Sequence, residues 1–325
     1  MSQAAQAGPA DVTFSDVAAQ AQGVAKSPWK IFWARFRHDR VALMGLGFIG
    51  LLVLIAIAAP LIAKLVDHGP NELFQREMTD AFGLPKGPTS EFLMGADTAG
   101  RDLMVRVAYG ARTSLFVALV ATGISMVIGV ILGMIAGYFG GVVDTVISRA
   151  IDIIFSMPLL VFAIGIVAAC STTKDGCMRG WIKPGLPLVI FIIAAFSWPY
   201  IARIVRGNTL SIKEKEFIEA SRAVGASNRR IMFAEVLPNL LAPIIVYSSL
   251  IIPANVLFEA YLSFLGLGVP QRTASWGRML SDAARVFDVA WWMMLFPGLF
   301  LLFTVLAFNL LGDGLRDALD PRAGR

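Results

Sequence analysis

The stretch richest in chemically capable side chains runs Leu210-Ser211-Ile212-Lys213-Glu214-Lys215-Glu216-Phe217-Ile218-Glu219-Ala220-Ser221-Arg222-Ala223-Val224-Gly225-Ala226-Ser227. Residues 213–224 favour helix, and Gly225 is a natural C-cap. On that helix Phe217, Ile218, Ser221 and Val224 share a face, with Glu214, Lys215, Glu219 and Arg222 around it. A short helix in a water-facing loop has nothing of its own to bury such a face against, so the expected chemistry is docking into a groove on a partner. Catalysis is not expected. No nucleophile–base constellation appears, His38 and His68 stand isolated, and no G-x-x-x-x-G-K-[ST] phosphate loop is present. Cys170 and Cys177 lie in one short polar loop without an adjacent His, an incomplete zinc site, and no metal is expected. A disulfide there requires the loop to face an oxidising compartment.

The elements that must position this loop follow from composition. The chain has 325 residues, 57% hydrophobic and 16% charged, and its mean hydropathy is +0.69. Soluble domains carry roughly 25% charged residues. The apolar residues also fall in long blocks, and about 20 such residues cross hydrocarbon as a helix. Six spans are expected, at about 41–63, 112–137, 145–169, 186–206, 236–259 and 290–312. No run between them alternates as a barrel strand would, so the class is an all-α polytopic membrane protein. The net charge of +5 points away from nucleic acid, because the basic residues cluster between apolar blocks and not along a basic stripe.

Residues 1–26, rich in Ala, Gln and Gly, read as a disordered cytoplasmic tail. Across 27–40, Trp29, Phe32, Trp33 and Phe36 recur at helical spacing, with Lys30 and Arg37 off that stripe. This is the pattern of an amphipathic helix lying in the bilayer interface, with Ser27 as N-cap, or else of a plain basic flank to the first span. Basic residues before the first span, between the fourth and fifth, and after the sixth all fall on one side, which the positive-inside bias makes cytoplasmic. The N- and C-termini, with the tail 313–325, are therefore expected in the cytoplasm, and segment 64–111 outside. The five later spans, 112–312, enclose a loop at 207–235.

Within the spans, Gly129, Gly133 and Gly137 form a small-xxx-small row that either admits a close helix neighbour or reflects how common Gly is in membrane helices. Arg149 and Asp152, at i and i+3, are read as a structural pair. Pro238, Pro243 and Pro253 are expected to bend the fifth span.

At Glu219-Ala220-Ser221, followed three residues later by Gly225 and then by Leu237-Pro238, the sequence resembles the EAA loop of ABC importer permeases. It departs from that pattern at Ser221, where the family has Ala. It departs again at Glu235, where the family has an apolar residue and peptide permeases often have His. The likeness extends through Met94–Asp102, Gly110–Leu115, Asp152–Pro158, Ala202–Gly207, Tyr261–Gly268 with Ser275-Trp276-Gly277, and Phe308–Pro321. These segments, in order, look like oligopeptide and dipeptide permeases, nearest to the C-type subunit, with an insertion around Cys170 and Cys177.

The resemblance implies a type I ABC importer permease fold in the cell membrane. It implies a paralogous permease as partner, two ATPase subunits that bind ATP and Mg, and an extracytoplasmic peptide-binding protein. No cofactor is expected in this chain itself. Phe217, Ile218, Glu219, Ala220, Ser221, Arg222, Val224 and Gly225 would be the residues gripped by an ATPase. Glu259, near the outer end of the fifth span, would meet a peptide amine or an incoming binding protein, or anchor the outer loop. The solute would be a peptide, or alternatively nickel, glutathione or another small solute. A secondary transporter would need deep ionisable residues and internal repeats, and neither is evident.

Overall fold

The computed structural model describes residues 28–171, 177, 180 and 182–319. The expected tail at 1–26, the N-cap Ser27 and the last residues from 320 lie outside the described residues. Helix α1 (Pro28–Phe36) is followed by α2 (Arg40–Leu65), whose N-cap Asp39 accepts from the amides of Val41 and Ala42 at 2.9 and 3.1 Å. A single turn, α3 (Gln75–Met78), precedes α4 (Leu103–Phe139). Then come α5 (Gly141–Ser156), α6 (Leu159–Ser171) and α7 (Leu186–Lys213). The loop helix α8 (Glu216–Ala223), the single turn α9 (Asn228–Arg230) and a π-helical turn (Ile231–Val236) lead into α10 (Leu237–Phe264). Helices α11 (Trp276–Ala283) and α12 (Trp292–Leu319) complete the chain. No β-strand occurs among the described residues.

Five helices are long and apolar enough to span a bilayer: α2, α4, α7, the continuous run Asn228–Phe264, and α12. The expected third span is instead broken. Helices α5 and α6 meet at 88° across Met157-Pro158, because proline cannot donate to the preceding turn and disfavours helix before itself. Contacts along α7 show that the pair still crosses. Asp144 pairs with Arg206, Asp152 with Arg203, Phe155 with Tyr200 and Phe162 with Phe196, and Cys170 clusters with Leu188. That order runs from one end of α7 to the other, so six crossings result.

Span ends differ from expectation in a consistent direction. The second span starts at Leu103, not near 112, so 103–111 is not part of the connecting segment. Its Arg106 does not break the helix, since the guanidinium is fully buried, 3.0 Å from the Pro70 carbonyl oxygen and 3.3 Å from Asp97. Helix α7 continues to Lys213 through what was expected to be loop, and α12 continues to Leu319 through the expected tail. Helix α10 passes through Pro243 and Pro253 without interruption, and Pro238 follows directly on the π-helical turn Ile231–Val236, whose wider hydrogen-bond pattern accommodates its missing amide.

Helix α4 packs on α7 through the glycine row. A methyl group at Gly129 would lie 2.6 Å from Ile201 Cβ, one at Gly133 2.5 Å from the Ala202 carbonyl oxygen, and one at Gly137 2.7 Å from Thr209 Cβ. The close-neighbour reading of that row therefore holds. At one end of the bundle α1 folds against the last turns of α12. Phe36, placed by its spacing on the lipid-facing stripe, is buried with Ala42 and Ala318, whereas Trp33 is exposed. At the opposite end, segment 66–102 is pinned by Trp292 Nε1 donating to the Ala96 carbonyl oxygen at 3.1 Å. His68 is not isolated: its Nδ1 lies 2.6 Å from Asp102 Oδ2, both side chains are buried, and the ring stacks on Phe92.

Candidate functional site

The loop helix α8 forms where the sequence places it, but it starts later, at Glu216. Glu214 and Lys215 break it from α7. Acidic Glu216 and Glu219 occupy its first turn and Arg222 its last, the arrangement a helix dipole favours. Gly225 ends it with φ +80°, a conformation costly for side-chain-bearing residues. There the Gly225 amide donates to the Arg222 carbonyl oxygen at 2.9 Å and the Ala226 amide to that of Ser221 at 3.0 Å. These two bonds make a Schellman motif. Ser227 then caps α9, accepting from the Arg230 amide at 3.4 Å.

This turn is fastened to the membrane helices. Ile218 is fully buried in a cluster with Met134 and Tyr138 of α4, and with Ile231, Met232, Val236 and Leu240. The expectation that Ile218 faces a partner is therefore corrected, because α4 reaches far enough beyond the apolar core to supply the missing cover. The Tyr138 hydroxyl donates to Asn228 Oδ1 at 3.0 Å, and the Arg222 guanidinium lies 5.6 Å above the Tyr138 ring. What remains outward is Phe217, Glu219, Ala220, Arg222, Val224 and Gly225, with Ser221 half-buried. Val224 is 84% exposed and Phe217 39%, a small apolar ridge flanked by charge. Beside it a cleft is lined by Ser221, Val224, Gly225, Arg230 and Glu235.

A second feature is a groove of about 630 Å³ between α7 and α10, floored by Leu159 at the start of α6. It is walled by Phe196, Ser197, Tyr200, Ile204, Tyr247, Ile251, Asn255, Phe258 and Tyr261. Asn255 links three helices behind this wall, donating to Thr122 Oγ1 at 2.8 Å and accepting from Ser197 Oγ at 2.8 Å. Sequence reading missed the groove, because its polar groups come from two helices and only tertiary packing brings them together.

Glu259 does not line this groove. It is fully buried and accepts from Ser263 Oγ at 2.7 Å, with Ser114 and Ser275 facing the same carboxyl. Of the roles expected for it, the geometry carries only the anchoring of the outer loop, because α11 and α4 close over it. Arg149 and Asp152 are 4.0 Å apart, but the carboxylate lies closer to Arg203, at 3.3 Å, so the expected pair is a group of three. Cys170 and Cys177 are joined by a disulfide.

Comparison with known proteins adds the following. A family model described as the inner-membrane component of binding-protein-dependent transport systems matches residues 129–325. Another, the N-terminal TM domain of oligopeptide transport permease C, matches residues 27–81. Over 299 residues the chain is 41% identical to the oligopeptide transport system permease protein OppC of Escherichia coli K12, covering 91% of this chain and 92% of that one. Identity is 40% over 296 residues to the di/tripeptide permease DppC of Pseudomonas aeruginosa, covering 91% and 93%. It is 42% over 297 residues to the glutathione transport system permease GsiD of Salmonella typhimurium, covering 91% of each chain. An inward-facing structure of the MetNI methionine ABC transporter aligns with TM-score 0.55 and 20% identity, covering 67% of this chain and 98% of that one. That last likeness is one of fold.

Proposed function

This chain belongs to the inner-membrane permeases of binding-protein-dependent ABC importers, and on that premise we propose that it forms half of a peptide-conducting path driven by ATPases docked on α8. The observation that carries the reading is the α8 turn: a small ridge of Phe217, Glu219 and Val224, closed by the Schellman turn at Gly225 and held from behind by Ile218 and Tyr138.

That construction suits force transmission. A docked helix can bias a conformational equilibrium only through contacts that differ between states, and a loosely tethered helix would dissipate any displacement. Here Ile218 couples α8 to α4, and the glycine row couples α4 to α7. When an ATPase pair binds ATP with Mg and closes, the cleft gripping Phe217–Gly225 moves, and α4, α7 and α10 are positioned to move with it. A paralogous permease supplies the other half of the path. A binding protein delivers solute at the end built from segment 66–102 and α11. The α8 end lies in the cytoplasm together with both termini in this reading, which the basic residues around it support.

The peptide assignment is supported by relatives named for oligopeptides and for di/tripeptides at about equal identity. A second reading, glutathione, rests on the 42% identity to the glutathione permease. Glutathione is itself a tripeptide, so the two readings differ in the first linkage and not in kind. The complex should be captured from the membrane, its subunits identified, and uptake of a radiolabelled tripeptide and of glutathione measured in proteoliposomes. Uptake of neither solute, or the absence of any ATPase from the complex, would overturn this reading.

A further inference from the structure

No lining side chain of the groove between α7 and α10 carries a charge. Charge begins beside it, in an adjoining cleft lined by Ser148, Ile151, Asp152, Arg203 and Arg206, the last of them paired with Asp144. Arg203 lies within one turn of the groove residue Tyr200, and its Nη2 is 3.3 Å from Asp152 Oδ1. Its guanidinium carbon lies 4.7 Å from the centre of the Phe155 ring, and the Tyr200 ring meets that same ring edge-on at 4.7 Å. Groove wall and guanidinium therefore share one aromatic support. Arg149 Nη1 reaches the same Asp152 carboxylate at 4.0 Å. One carboxylate between two guanidinium groups leaves a positive charge in excess at the groove's rim. Arg203 is nevertheless 59% exposed and Arg149 78%.

Arg203 stands 17 residues after Leu186, roughly 25 Å along the helix axis. That is nearly the thickness of the hydrocarbon core, so the cation sits toward the α8 end of the path. Two things distinguish it from a lipid-facing anchor. The adjoining groove presents Asn255 and Ser197 beside the hydroxyls of Tyr200, Tyr247 and Tyr261, and an amide among hydroxyls is costly to set against lipid tails. In addition, Phe155 and Asp152 hold the guanidinium in place while its remaining donors stay available, and a planar fork of donors suits a carboxylate.

We propose that Arg203, steadied by Asp152 and Phe155 at the rim of the α7–α10 groove, contacts the terminal carboxylate of a peptide leaving the path. A conduit for peptides of varied side chains can rely only on groups every peptide has: the amides, the terminal amine and the terminal carboxylate. Hydroxyls along the groove suit the amides, and the excess cation suits the carboxylate. An amine is poorly served, because Asp152 is already shared between two arginines.

The proposal rests on the peptide reading, and the test separates the two. The full complex, with its ATPases, second permease and binding protein, is reconstituted in proteoliposomes. Uptake of trialanine and of its C-terminal amide is measured for wild type, Arg203→Gln and Arg203→Lys. The binding protein is the same throughout, so its own preference cancels when each variant is compared with wild type. Arg203→Gln should raise KM for the free acid about tenfold relative to the amide, and Arg203→Lys should recover part of that difference. Equal losses for both peptides, or no change for either, would overturn the carboxylate contact and leave the peptide reading standing. So would a wild-type rate that depends on anionic lipid in a way Arg203→Gln abolishes, since that identifies a headgroup site. If the wild-type complex takes up neither peptide, the peptide reading itself fails and the contact fails with it.

Discussion

The Tyr138 hydroxyl donates to Asn228 Oδ1 at 3.0 Å, joining the last turn of α4 to the turn that leads into α10. Arg222 of α8 lies over the same ring and Ile218 is buried beside it, so a single aromatic side chain collects the end of α4, the ridge helix and the foot of α10. Removing the hydroxyl as Tyr138→Phe should cost about 1 kcal/mol of stability. Ile218→Ala should cost about 2–5 kcal/mol, since it empties a filled apolar site. Both should raise the ATP consumed per solute moved, because the ridge is then less firmly coupled to the spans. Thermal unfolding of the purified complex and paired ATPase and uptake rates check this, and an unchanged ratio in Ile218→Ala would refute it.

Outward residues of the same turn should behave differently. Glu219→Lys reverses an exposed charge and touches no core side chain, so insertion and yield should match wild type while solute-stimulated ATPase activity falls severalfold. Gly225→Asp should do the same at an added cost of about 1–2 kcal/mol, from its positive φ. Turnover equal to wild type in both variants would remove the docking role from this turn.

The glycine row predicts a failure of assembly and not of coupling. Gly133→Leu would place its first side-chain carbon 2.5 Å from the Ala202 carbonyl oxygen, so α4 and α7 must separate. Overpacking of this kind costs about 1–3 kcal/mol or more. The expected outcome is low yield and loss of the monodisperse complex on size exclusion. Gly123→Ala, with no atom near the added methyl, is the control and should purify normally.

Glu259 accepts a hydrogen bond from Ser263 Oγ and forms no ion pair among the described residues, so charge is not what the site requires. Glu259→Gln keeps the shape and an acceptor for Ser263, and should retain transport within about twofold. Glu259→Lys should abolish assembly, because it buries an ammonium among hydroxyls without a counter-charge. A large loss of transport in a well-folded Glu259→Gln complex would instead assign the carboxylate a direct role.

The disulfide reports sidedness. After reduction of right-side-out vesicles, a membrane-impermeant maleimide should label Cys177, which is half-exposed, and should leave Cys170, which is buried, much slower to react. Labelling restricted to inverted vesicles would reverse the topology.

Class, number of crossings and the ridge helix with its glycine stop were legible in the sequence, because each depends on local properties: apolar block length, charge between blocks, and the backbone freedom of Gly225. Other features were settled only by the tertiary structure. A neighbour's burial turned Ile218 inward and capped the charge of Arg106, which let α4 run nine residues further than apolar length alone allows. His68 found Asp102 across 34 positions of sequence, and the groove drew its hydroxyls from two successive crossings that only packing sets side by side. The division has one physical cause. Hydropathy and helix propensity are carried by each segment on its own, whereas burial, pairing and exposure belong to what a segment touches.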